Sequence, residues 1–236
     1  MNKIQTQYVS PDVIDSLALR ELTKLWSRYG SNMPFNAEML LELEYDVQVI
    51  PIKGLKLHEV DCSLSRDGST VYVDADDYEN DTLSGRLLFS FAHELGHKIL
   101  HEVYVGNASS LTPKQLEWVE TQANMFAAHF LMPRPILIGV IASEVLERFD
   151  SIATANLSLE ACIDFRIQNL ANYFGVSAAA MRNRVKNIRI EQVLQGPYIS
   201  LDDKNRFKEL ANSVEKTSIN QWSASSAVLS APTLSD

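Results

Sequence analysis

Apolar residues recur every three or four positions along most of this chain, and one stretch near the first quarter departs from that period. Val13, Ile14, Leu17, Ala18, Leu25 and Trp26 form a helical stripe that ends at Gly30; Ser10 is placed to cap it and Pro11 suits its first turn. A second helical piece is expected from about Asn36 to Glu44. The spacing then changes. Asp46 to Ile52 (DVQVIPI) alternates apolar and polar, which is the period of a half-buried strand. Leu57–Leu64 and Thr70–Ala75 (TVYVDA) read as two more strands, and Arg66-Asp67-Gly68-Ser69 between them is a hairpin turn signal. A small antiparallel sheet followed by helices predicts an α+β architecture.

Helix dominates from Ser84 onward. Gly85 to His101 carries Leu88, Ala92, Leu95 and Ile99 on one stripe, and a loop is expected from Glu102 to Leu111. Thr112-Pro113-Lys114-Gln115 has the form of a capping box with proline in the first turn, and Met132-Pro133-Arg134-Pro135 should stop that helix. Three more helices are expected at Ile136–Phe149, Leu159–Phe174 and Ala178–Arg189, with Gly175 as a stop and Ser177 as a cap. A short helix is expected near Asp203–Val214. The terminal SASSAVLSAPTLSD has no periodicity and reads as disordered. No repeat of solenoid length is visible.

Composition narrows the classes. The chain has 236 residues, 46% of them apolar, enough for one substantial core and a helical appendage. A net charge of −9 argues against a general nucleic-acid coat or a polybasic membrane binder. The longest apolar run, Ile136 to Ala142, is too short to span a bilayer, and MNKIQTQYVSPD lacks the apolar core of a signal peptide. Cys62 and Cys162 form neither a disulfide framework nor a CxxC metal pattern. A cytoplasmic setting is expected.

The segment that carries chemistry is His93-Glu94-Leu95-Gly96-His97. On a helix the two histidines share a face and both imidazoles can reach one metal ion, while Glu94, about 100° round the axis, stands beside it as a base for water. Two imidazoles and a carboxylate favour zinc. With 5 histidines and 16 glutamates in 236 residues, a chance HExxH is expected roughly 0.007 times per chain.

A third ligand is needed. His101 lies eight residues beyond His93, about 12 Å along an unbroken helix, too far to share a zinc with it. A helix broken by glycine three residues after the second histidine, with another histidine three further on, would solve this, but Leu100 and Val103 occupy those positions. His101 is therefore read as structural or partly exposed. On the next long helix Glu120 and Asn124 share a face, which makes Glu120 the leading ligand candidate and Asn124 a partner for a ligating histidine. Glu117 remains an alternative, and an unseen ligand another.

GRLLFSFAHELGHKILH followed by ETQANMFAAHFLMP closely resembles the ImmA/IrrE family of zinc metallopeptidases, whose second signature here is Glu120, Ala123-Asn124, Phe126-Ala127 and Leu131-Met132-Pro133. The resemblance is strong over about Asp46–Pro135 and weak beyond. It implies His93, His97 and Glu120 as zinc ligands and Glu94 as the catalytic residue, on a small antiparallel sheet packed against a zincin-type two-helix site. Gln122 stands where many relatives have an acidic residue and is given no role. The implied domains are 1–135 for the peptidase with its N-terminal helix, 136–190 for a helical extension, and 191–236 for a short helix and tail. The implied activity is zinc-dependent cleavage of a helix-turn-helix repressor, releasing genes of a mobile element or a stress response. The alternatives are a regulatory protein with a structural zinc that contacts DNA or a partner, and a zinc hydrolase of small peptides.

Weaker signals have plainer readings. Leu170 to Ser177, with Met181 and Val185, has a helix-turn-helix flavour, and Arg182, Arg184, Lys186 and Arg189 add local positive charge. Whole-chain charge opposes DNA contact there, and a packed helical hairpin is the reading adopted. Asp74, Asp76, Asp77, Glu79 and Asp81 lack the glycine of a calcium loop and read as a solvated loop. His129 is read as a packing or surface residue. A strand near Val71–Val73 is expected to align an extended substrate by edge pairing.

Overall fold

The computed structural model describes residues 9–30, 33–79, 84–105, 111–188 and 198–216, with side chains described to 101 and 212 in the segments ending at 105 and 216. The first helix, α1 (Pro11–Tyr29), begins where Ser10 Oγ accepts the Val13 N–H and ends at Gly30, whose φ of 60° closes the last turn. Ile14, Ala18, Leu22 and Leu25 line its buried face. Glu21 is fully buried on it and is neutralised in place by Arg20, Lys24 and the Tyr45 hydroxyl. Helix α2 (Glu38–Tyr45) leads into the sheet.

The sheet is mixed, a correction to the antiparallel arrangement expected. Its strands β1 (Gln48–Ile52), β2 (Cys62–Leu64) and β3 (Thr70–Asp74) lie in the order β1-β3-β2. The turn at residues 65–69 makes β2 antiparallel to β3, with Ser63 opposite Tyr72. The chain has already reversed once between β1 and β2, so two reversals return β3 to the direction of β1. They pair in parallel, Val49 opposite Val71. Of the strand expected at Leu57–Leu64 only Cys62–Leu64 forms; Leu57 and His58 belong to a 3-10 turn, Leu55–His58, between left-handed residues Gly54 (φ 87°) and Glu59 (φ 59°). Leu57 is 85% exposed there, so it fills no strand position in the core.

Asp74 is buried, which corrects the solvated-loop reading. Its carboxylate accepts the N–H groups of Lys56 and Asp76 and caps the short helix α3 (Ala75–Tyr78), while Asp77 is paired with Lys56. Asp81 lies outside the described residues.

Two long helices follow. Helix α4 (Gly85–Val105) runs one turn past its expected end and leaves helical geometry at His101 (φ −128°, ψ 16°). Helix α5 (Pro113–Leu131) starts on the complete Thr112/Gln115 capping box and ends at Met132 before Pro133. Phe126 and Phe130 of α5 stack at 6.2 Å, and Phe35 meets Phe130 edge-on at 6.5 Å, deep in the core.

The remaining helices are α6 (Arg134–Leu146), α7 (Phe149–Thr154), α8 (Leu159–Phe174), α9 (Ala178–Ile188) and α10 (Lys204–Lys216). The single helix expected over Ile136–Phe149 is broken at Glu147 and Arg148, and Phe149 turns its ring onto Phe207 of α10 at 5.9 Å. Gly175 ends α8 at φ 63°, and a Cβ there would lie 2.5 Å from Pro34, so the turn into α9 admits only glycine. Arg184 of α9 is buried. Its guanidinium donates to the Met132 carbonyl at 3.0 Å and to Asp15 at 3.4 Å, which removes it from the basic face considered for DNA.

Cys62 and Cys162 are buried free thiols. Burial and the nearby Glu94 carboxylate push the Cys62 thiol far above its usual range, and burial also raises Cys162. Among the described residues no single helix is long and apolar enough to cross a membrane. The tail SASSAVLSAPTLSD lies outside the described residues.

Candidate metal centre

Helices α4 and α5 approach closely because Gly96 has no side chain. A Cβ there would stand 3.1 Å from Phe126 Cβ and 3.2 Å from the Ala123 backbone, closer than packed carbons tolerate without a shift. This contact sets the register that the spacing of either motif alone leaves open.

Across it, three donor groups converge. His93 Nε2 and His97 Nε2 are 2.9 Å apart, and the Glu120 carboxylate lies 3.2 Å from the first and 3.5 Å from the second. One ligand atom from each lies within 4.8 Å of the others, so His93, His97 and Glu120 are placed to hold a metal ion. Two imidazoles and a carboxylate fit a divalent ion with a position left for water or substrate. Glu117, the alternative third ligand, is exposed and outside this group.

Each remaining residue has a definite place. Asn124 Oδ1 lies 3.0 Å from His93 Nδ1, where it accepts an N–H and leaves Nε2 facing the cluster. Glu94 is 7% exposed, and its Oε2 accepts the Leu64 N–H at 3.0 Å. His101 is buried, not partly exposed. Its Nδ1 is 3.2 Å from His97 Nδ1 and its Nε2 is 3.0 Å from Gln122 Oε1. Gln122, given no role from the sequence, therefore reaches the histidine row through His101. His129 lies far along α5 with its Nδ1 2.6 Å from Asp15 Oδ1.

The electrostatics follow from burial and charge. Burial raises the Glu94 carboxyl above its usual range, against the opposing effect of the His97 and His93 imidazoles, and so strengthens it as a proton acceptor. Hydrogen bonds to His93 and His97 hold Glu120 far below the carboxylate range. Burial pulls His93 down, but Glu120 and the charge of Glu94 outweigh it and the ring is raised overall. Burial takes His101 down to about 4, which keeps it neutral at physiological pH.

The groups open onto a cleft of about 500 Å³ lined by Cys62, Ser63 and Leu64, by Phe89, Leu116 and Val119, and by the cluster itself. Of the two edge strands, β1 and β2, it is β2 that lines the cleft. Strand β3, with Val71–Val73, is the centre of the sheet and has a neighbour on each side, which corrects the edge expected there.

Residues 79–186 match the family model described as Peptidase_M78, IrrE N-terminal-like domain. The match starts after β3 and ends within α9, so it covers residues beyond Pro135, where the resemblance is weak, and leaves out the sheet. No curated protein and no solved structure matches the chain.

Proposed function

Because residues 79–186 belong to the ImmA/IrrE family of metallopeptidases, we propose that the chain is a zinc-dependent endopeptidase acting in the cytoplasm on a helix-turn-helix repressor, whose loss derepresses mobile-element or stress-response genes. The observation that carries the reading is the convergence of His93, His97 and Glu120 with the buried Glu94 carboxylate beside them. A zinc ion bound there supplies Lewis acidity, which acidifies water and stabilises negative charge on a carbonyl oxygen.

The chain's own residues do the rest. Leu64 N–H fixes Oε2 of Glu94, so Oε1 takes the proton from the attacking water. The same carboxyl then delivers that proton to the leaving amine. Asn124 holds His93 in the tautomer that presents Nε2. A peptide laid antiparallel along β2 would place its scissile bond in the cleft between Leu64 and Glu120. The paired, buried Arg184 leaves the α8–α9 hairpin suited to packing and not to DNA.

The test incubates the zinc-loaded protein and its Glu94→Gln variant with purified helix-turn-helix repressors, beginning with any that a neighbouring gene encodes. The expected result is a discrete cut by the wild-type chain and none by the variant, with zinc retained by both. No cut under any metal condition overturns the substrate assignment; a cut by the variant overturns the role of Glu94.

A further inference from the structure

The row of histidines on α4 continues past the two proposed ligands. His101 is buried at the point where the helix departs from regular geometry, and its ring sits 5.3 Å from that of His97. Two imidazole Nδ1 atoms at 3.2 Å are compatible only when one carries a hydrogen and the other a lone pair. The far side of His101 decides which. Its Nε2 faces Gln122 Oε1 at 3.0 Å, and an acceptor there requires N–H on that nitrogen. Neutral His101 with N–H at Nε2 has its lone pair at Nδ1. His97 must then donate from its own Nδ1, and its Nε2 lone pair is turned toward Glu120 and His93.

We propose that Gln122 and His101 form a positioning relay that sets the tautomer of His97 for metal ligation, the counterpart of what Asn124 does for His93. The proposal rests on the metal reading of the site given above. The two arms are built differently. His93 is held by one amide, whereas His97 is held by an amide acting through a second imidazole. The relay spans both helices, since His101 belongs to α4 and Gln122 to α5, so it also couples the ligand's tautomer to the helix register. Gln122 supplies an acceptor without adding charge. A glutamate would serve the same hydrogen bond, whereas a leucine would remove the acceptor that selects N–H at His101 Nε2, and with it the bias of His97 toward an Nε2 lone pair.

The experiment reads tautomers and affinity, not turnover. Two-bond ¹H–¹⁵N correlation spectra of uniformly labelled full-length protein, metal-free and zinc-loaded, identify which ring nitrogen of each histidine carries hydrogen. The expected pattern is His97 with hydrogen on Nδ1 and His101 with hydrogen on Nε2. In parallel, zinc affinity is measured by chelator competition. Gln122→Leu and His101→Phe should weaken it about 10- to 100-fold, while Gln122→Glu should hold it within about threefold. His101 with hydrogen on Nδ1, or Gln122→Leu binding zinc like the wild type, overturns the relay while leaving the metal site intact. Failure of the wild-type chain to bind zinc overturns the metal reading instead, and the metal-free spectrum still decides the tautomers. Should His101→Phe not fold, the Gln122 pair and the spectra carry the decision.

Discussion

At one end of α5, Arg184 and His129 meet on Asp15, and Arg184 also donates to the carbonyl of Met132; toward the other, His93, His97 and Glu120 meet at the mouth of a cleft. Both groups hold a carboxylate and histidine, yet their charges are arranged differently. In the first, a guanidinium faces a carboxylate and a backbone carbonyl, so donors meet acceptors. The pairing holds the Asp15 carboxyl below its usual range through His129 and Arg184 against the cost of burial. In the second, two ring nitrogens and a carboxylate aim acceptors at a common point. Complementary charges make a strut between α9, α5 and α1; converging acceptors make a seat for a cation.

Substitutions should separate the two. The largest effect is expected from His97→Ala: zinc affinity should fall at least ~1000-fold, one of three donors being about a third of a binding free energy on the order of 12 kcal/mol. Metal-free stability should fall by only about 1–2 kcal/mol, since relief of the crowded acceptors partly offsets the loss of the donor to His101 Nδ1. Urea unfolding with and without zinc checks both. Arg184→Met should do the reverse, costing about 3 kcal/mol of stability by leaving the Met132 carbonyl without its donor and Asp15 with His129 alone, while zinc affinity stays put. Gly96→Ala touches both properties. Its gain in helix propensity is outweighed by the contact with the Ala123 backbone, for a net loss of about 1–2 kcal/mol and a several-fold weaker zinc site as Glu120 is pushed away.

The smallest effect is at the hairpin. Hydrogen bonds from Ser65 and Ser69 hold the Asp67 carboxyl at about 2, below its ordinary 3.8. The stabilisation is therefore complete above pH 3.8 and lost as pH falls through 2. The gap in melting temperature between wild type and Asp67→Ala should be constant near neutrality and narrow over that interval. A gap that widens on acidification would contradict the assignment.

Local signals were the legible ones. Ser10, Thr112 with Gln115, Gly175 and Ser177 each act over four residues or fewer, and the helix ends they mark lie where the spacing put them or within a residue or two. The HExxH stripe was readable for the same reason. What the chain order concealed was relative placement. The parallel pairing of β1 with β3 depends on two successive reversals of the chain, which bring Val49 opposite Val71. The meeting of Gln122 with His101 depends on the α4–α5 register, which Gly96 sets through a contact invisible to periodicity. Arg184 looked like part of a basic face because helical spacing says nothing of a carbonyl 52 residues away.

The two buried thiols fall on opposite sides of the comparison, Cys62 in the strand beside the cleft and Cys162 on α8. Their low reactivity in the folded chain gives the molecule a pair of natural clocks. An alkylating reagent would count openings of the cleft wall at the first sulfur and of α8 at the second, and mass spectrometry of the two peptides would reveal whether these regions open together or in turn.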